Sequence, residues 1–92
     1  MTAALRTRFR NCLLTQLKEG RSHLGLLLVT LHNGCHFYGL DDITLDDCEA
    51  ELEGPLKQGG YVLVEDGRIN KAEHRYKISD AGLSYLDLHG LA

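Results

Sequence analysis

Two stretches, Gly59-Gly60-Tyr61-Val62-Leu63-Val64-Glu65 and His74-Arg75-Tyr76-Lys77-Ile78, decide the fold of this 92-residue chain. Residues 61–65 are β-branched, aromatic and aliphatic, which is the composition of a strand. In 74–78, Tyr76 and Ile78 fall on one face and Arg75 and Lys77 on the other, as in a strand with one side covered. Asp66-Gly67 is a turn signal. The connection is about six to nine residues long, against the usual two to five of a hairpin. A strand pair alone is not stable in water, so the rest of the chain must supply a layer over one face.

Outward from these strands, that layer reads as helical. Upstream, residues 45–58 form a helix with Thr44 as N-cap and Asp47 in the third position, a shorter capping-box partner than Glu. Leu45, Cys48, Leu52 and Leu56 share its core stripe, and Asp46, Glu49 and Glu53 point away from it. Gly54-Pro55 bends or interrupts it, since Pro55 has no N–H to give. Residues 22–33 form a second helix, capped by Ser22 and stopped by Asn33-Gly34. Residues 35–43 admit either a short extended piece or a brief helix. Residues 3–18 form a first helix, with Thr2 as cap, Gly20 as stop and Leu5, Phe9, Cys12, Leu13 and Leu17 on one face. Arg6, Arg8 and Arg10 lie off that stripe. Downstream, Ser79 caps a last helix, with Leu83, Leu86 and Tyr85 inward and Gly90 at its close.

The order is helix, helix, helix, strand, long loop, strand, helix. Leu52-x3-Leu56-x3-Gly60-Tyr61-Val62 resembles the end of a recognition helix and the first wing strand of the winged helix-turn-helix family. His74-Arg-Tyr-Lys-Ile-Ser-Asp-Ala-Gly-Leu-Ser-Tyr-Leu86 is similar to that family's second wing strand and the helix after it, with Gly82 where many members carry glycine. The similarity covers residues 52–86, and the order of elements extends it to about 24–88. It implies an α+β, mainly α, single domain over residues 1–92: an arm helix (1–20), a helical core (21–60), a two-stranded β-wing (61–78) and a C-terminal helix (79–90). Winged helices serve DNA, RNA and protein assembly alike, so the resemblance speaks to fold before function.

Composition agrees with one small domain. Apolar residues make up 43% and charged residues 25% of the chain, an ordinary globular balance, with no tryptophan and few aromatics. Residues 1–10 carry no apolar run that would make a signal peptide, and the apolar stretch 24–31 is far shorter than a bilayer needs. Three cysteines, Cys12, Cys35 and Cys48, fit reduced thiols in a cytoplasm. The net charge of −3 hides a polarised chain. Residues 1–21 carry +4, residues 41–53 carry −7 with no base, and residues 57–77 carry +2.

These patterns lead to two functional expectations. The resemblance implies a regulator that binds duplex DNA, with Lys57 and Gln58 near the groove and Arg68, Asn70, Lys71, Arg75 and Lys77 meeting phosphates. Arg6, Arg8 and Arg10 form a second basic surface. Against this, the helix at 45–58 offers mostly carboxylates, and carboxylates opposed to phosphates cost binding energy. The alternative is a protein-interaction adaptor that uses the acidic 41–53 face without DNA. A homodimer through Leu5, Phe9, Leu13 and Leu17, or through 79–90, suits a chain with a small core; the same stripe can instead complete its own core. His32-x2-Cys35-His36 gathers metal-ligating residue types, but no strong ligand spacing supports it, and no metal or cofactor is expected. With no Gly-rich phosphate loop and no nucleophile elbow, and with no partner evident for His74, the chain reads as a non-enzyme.

Overall fold

The computed structural model describes residues 2–20, 25–65 and 75–88. Helix α1 spans Ala3–Glu19, strand β1 Leu26–Leu27, α2 Leu28–Phe37, α3 Leu45–Glu51, β2 Val62–Glu65, β3 Arg75–Ile78 and α4 Asp80–Leu88. A π-type turn over Leu52–Leu56 continues α3. The chain is mainly helical, with a small antiparallel sheet. Among the described residues no helix is long and apolar enough to cross a membrane.

The sheet has three strands, not the two expected, in the order β1-β3-β2. Leu26 and Leu27 leave the apolar run 24–31 to pair with Tyr76 and Arg75. Helix α2 therefore begins at Leu28 rather than at residue 22. The Ser22 cap and Leu24 lie outside the described residues, as do the Asp66-Gly67 turn, His74 and Gly90. In the register of β2 with β3, Val62 faces Ile78, Leu63 faces Lys77, Val64 faces Tyr76 and Glu65 faces Arg75. Facing residues share a side of the sheet. Leu26, Tyr76, Val62, Val64 and Ile78 turn inward, and Leu27, Leu63, Glu65, Arg75 and Lys77 turn outward.

Helix α2 also runs through Asn33-Gly34, the expected stop. The side chain of Gln16 on α1 explains how. Its amide donates to the Leu31 carbonyl at 3.2 Å, and it occupies the space that a Cβ at Gly34 would need. Gly34 therefore admits the Gln16 amide against α2, and Leu31 and Cys35 on either side of it are buried. The undecided 35–43 segment is helical to Phe37, and Leu40 and Ile43 then tuck into the core.

Three caps match their sequence signals. Thr2 Oγ1 accepts from the Leu5 N–H at 3.1 Å. Thr44 Oγ1 accepts from the Asp47 N–H, and Asp47 Oδ2 accepts from the Thr44 N–H, both at 3.1 Å. Ser79 Oγ accepts from the Gly82 N–H at 3.1 Å and donates to the Gly60 carbonyl. Gly54 and Pro55 break the α pattern as expected: Gly54 sits at φ −98°, ψ −105°, and the Lys57 N–H reaches back five residues to the Leu52 carbonyl. The helix then closes with Gly60 at φ +76°. Gly60 N–H bonds Lys57 O, and Tyr61 N–H bonds Leu56 O. That closure delivers the chain directly into β2.

The core takes Phe9, Leu13, Leu14 and Leu17 from α1, Leu31 and Cys35 from α2, Leu52 and Leu56 from the π-type turn, and Val62 and Tyr76 from the sheet. Phe9, Leu13 and Leu17 are thus spent inside a single chain, and only Leu5 of the proposed dimer stripe keeps part of its surface. While this core stands, that stripe cannot pair across a two-fold axis. Leu45, expected on the core stripe of its helix, is 42% exposed because it sits in the first turn, ahead of the packed segment.

The three cysteines meet in this core. Cys12 and Cys35 approach with Sγ–Sγ at 3.9 Å, and all three thiols are free and buried. The Cys35 contact with Cys12 favours its thiolate, but contact with Cys48 and burial outweigh it and push its pKa from 9.0 up to about 12. Contact with Cys35 first, and burial second, also push Cys12 up. A folded-state pKa above the unfolded one stabilises the fold below the unfolded value, and this contribution is lost as pH rises through the folded value. Stability therefore falls between about pH 9 and pH 12. Thermal melts at pH 7, 9 and 11 should show the drop confined to the last interval and smaller in Cys35→Ala, relative to that variant's own stability at pH 9. An equal alkaline drop in the variant would show that these thiols do not cause it.

Candidate interaction surface

Two acids, Glu51 at the end of α3 and Glu53 in the π-type turn, tie this segment to the arm helix and to the sheet. Glu51 is only 6% exposed, and Arg10 of α1 donates to it at 3.0 Å. Arg6, one helical turn away, stands at 4.0 Å from the same carboxylate. Burial by itself would lower the Arg10 pKa, but the Glu51 bond and charge, joined by a hydrogen bond with Tyr85 of α4, more than offset this and raise it. On the other side, the hydroxyl of buried Tyr76 on β3 donates to Glu53 at 3.0 Å. The arm helix is thus tied to the end of α3 through Glu51, and the sheet to the π-type turn through Glu53.

This placement corrects two readings. Glu49 and Glu53 are half-buried rather than directed freely into water. The three arginines do not form one basic surface. Arg6 and Arg10, four residues apart, share the side of α1 that faces Glu51. Arg8, two residues from each, points elsewhere and lines a cavity with Asn11 and Tyr38. What remains outward on α3 and the turn is Asp46, Glu49, Ala50, Glu53 and Gly54, around a shallow groove of about 420 Å³.

The other expected contact residues fall in separate places. Lys57 and Gln58 are exposed at the end of the interrupted helix. Arg75 and Lys77 lie on the outer face of the sheet, with Arg75 opposite Glu65. Arg68, Asn70 and Lys71 lie outside the described residues.

Comparison with family models, curated proteins and solved structures returned no match. What the chain does must therefore be read from its own side chains.

His32, Cys35 and His36 do not converge. Cys35 turns into the thiol cluster, His32 Nε2 donates to the Ile43 carbonyl at 2.9 Å, and His36 Nδ1 stands 3.4 Å from Asp41. The two rings meet edge to face, with centroids 5.0 Å apart. Among the described residues no three His, Cys, Asp or Glu side chains are grouped to hold a metal. The roles of Glu51, Tyr76 and Asn11 had no signal in the sequence. Each depends on a neighbour brought in by the fold, such as Arg10 at a distance of 41 residues from Glu51.

Proposed function

We propose that this chain is a winged-helix adaptor that receives a basic protein segment on the outward face of α3. One observation carries the reading: the groove on the outer side of α3 and its π-type turn is lined by Asp46, Glu49 and Glu53, with no basic side chain in its lining among the described residues. This is the helix that the family resemblance would place in a DNA groove. Phosphates brought to Asp46, Glu49 and Glu53 meet like charge, whereas lysines and arginines meet opposite charge. Arg10 is committed to Glu51. The order of the elements and the strand pair after the interrupted helix support the winged-helix assignment.

A second reading is DNA binding led by the sheet and wing. It is favoured by Arg75 and Lys77 on the outer face of the sheet and by exposed Lys57.

One comparison separates the two. Fluorescence anisotropy is recorded for a labelled Lys/Arg-rich peptide and for a mixed-sequence DNA duplex, each at low and at moderate salt. The adaptor reading expects the peptide to bind, and Asp46→Asn with Glu49→Gln to weaken it about threefold to tenfold, the scale of two rim charges. It expects no duplex binding at low salt. Duplex binding that falls steeply with salt, and that Arg75→Ala with Lys77→Ala abolishes, would sink the adaptor in favour of DNA.

A further inference from the structure

A cavity of about 260 Å³ between α1 and α3 shares Ala50 with the acidic groove and is otherwise lined by Arg6, Phe9, Asp47, Glu51 and Pro55. Asp47 and Glu51 are four residues apart, so they share one side of α3. Phe9, Ala50 and Pro55 supply apolar lining. The cavity therefore offers two carboxylates beside an apolar wall, with Arg6 as its one cation among the described residues.

These carboxylates are only half used. Glu51 is 6% exposed, and Arg10 donates to its Oε2 at 3.0 Å. Its other oxygen, Oε1, takes no hydrogen bond from the described residues. Arg6 Nε stands 4.0 Å from it, beyond hydrogen-bond length. The side-chain atoms that are both sealed from solvent and unpartnered are Arg10 Nε and Asn11 Oδ1. Glu51 Oε1 is not one of them, so it opens onto the cavity that Glu51 lines. A largely buried carboxylate with one oxygen unbonded still has donors to gain. Asp47 accepts from the Thr44 N–H through Oδ2 and has Oδ1 to offer. Arg6 fills this role poorly, since its side chain is 58% exposed.

We infer that this cavity binds an alkylguanidinium, the side chain of an arginine carried by the basic partner of α3; the identity of that carrier rests on the adaptor reading. The guanidinium donates to Glu51 Oε1 along one edge and to Asp47 along another, which a planar fork of five N–H groups can do and a single ammonium does less well. Its methylenes lie on Phe9, Ala50 and Pro55. The charge closes: Asp47, Glu51 and Arg10 sum to −1, and the incoming cation brings the site to zero once Arg6 turns to solvent. Because Ala50 borders both openings, a segment lying in the groove passes the mouth of the cavity. The groove then supplies exposed rim charges, and the cavity supplies the enclosed anchor.

The test uses the full chain, isotopically labelled, with n-butylguanidinium and its uncharged isostere n-butylurea. Butylguanidinium should saturate with a Kd of about 10 mM or tighter and move amides at 6–9 and 47–51. Butylurea should bind about tenfold more weakly, since it lacks the charge that the two carboxylates select. Arg6→Ala removes the rival cation and should tighten butylguanidinium about twofold to fivefold. If Arg6 were only part of the wall, binding would not improve. Asp47→Asn keeps an acceptor for the Thr44 N–H and should weaken the probe about threefold. Equal binding of the two probes by the parent chain overturns the inference. So do shifts confined to 46, 49 and 53, no saturation, or Arg6→Ala binding no tighter than the parent. The probe comparison needs no variant, so it stands even if a substitution disturbs the fold. The labelled Lys/Arg-rich peptide separates this inference from the adaptor reading. If the peptide binds and Asp47→Asn leaves its affinity unchanged, the groove stands and the cavity anchor is overturned. If the peptide does not bind while butylguanidinium maps to the cavity, the guanidinium site stands and the adaptor falls.

Discussion

Arg10→Met lowers the free energy of unfolding by about 3–5 kcal/mol, the scale for breaking a buried ion pair from one side. Most of this loss belongs to Glu51, not to a missing attraction. Glu51 is almost wholly buried, and without Arg10 its remaining cation is Arg6, at 4.0 Å and 58% exposed. An exposed partner at that distance returns little, so Arg6→Ala costs under about 1 kcal/mol. The double variant Arg10→Met with Glu51→Leu regains most of the stability, because two apolar side chains of similar size remove the stranded charge. Urea denaturation of the parent, the two singles and the double closes the cycle. If the double variant is as unstable as the sum of its singles, the pair is not coupled and this account of how α1 is tied to α3 fails.

Gly82→Ala should cost about 2–4 kcal/mol, although alanine is the better helix former by about 1 kcal/mol. The reason is a backbone contact. A Cβ at Gly82 would run into the carbonyl oxygen of Tyr61 and sit 2.6 Å from Ile78 Cγ1. Ile78 can adjust. The Tyr61 carbonyl is less free, because it accepts from the Ser79 N–H at 3.1 Å and lies at the entrance to β2. Relief therefore means shifting α4 away from the sheet, which loosens buried Leu86 as well. Chemical denaturation monitored by circular dichroism checks this, and a loss under about 0.5 kcal/mol would show that α4 has room to move.

Much of this fold is legible in the sequence, wherever a local rule and the tertiary packing agree. The caps at Thr44 and Ser79, the break at Gly54-Pro55 and the alternation of 75–78 are all seen as read. The misreadings fall where one apolar run has two uses. Leu24, Leu27, Leu28 and Leu31 keep helical spacing, but Leu26 and Val29 fill the gaps between them, so the run serves equally as a buried strand, and the pairing of Leu26 with Tyr76 decides it from 50 residues away. Asn33-Gly34 reads as a stop by its backbone preference, but the Gln16 amide turns the missing Cβ into a packing site. The interaction surface is less legible than the core. Arg10 and Glu51 are ordinary surface residue types in a polarised chain, and nothing local marks them as a buried couple. The sequence places carboxylates on one helix, but which of them face water depends on Arg10 and Tyr76.

The π-type turn has a consequence for how a partner travels along this surface. A helix that takes in one surplus residue rotates everything after it by about 100°. Lys57 and Gln58 are thereby swung off the line that Asp46 and Glu49 begin. A straight ligand laid along the first two turns meets only negative charge and departs before it reaches the lysine. Acid and base thus run on separate tracks, and the landing strip keeps one sign.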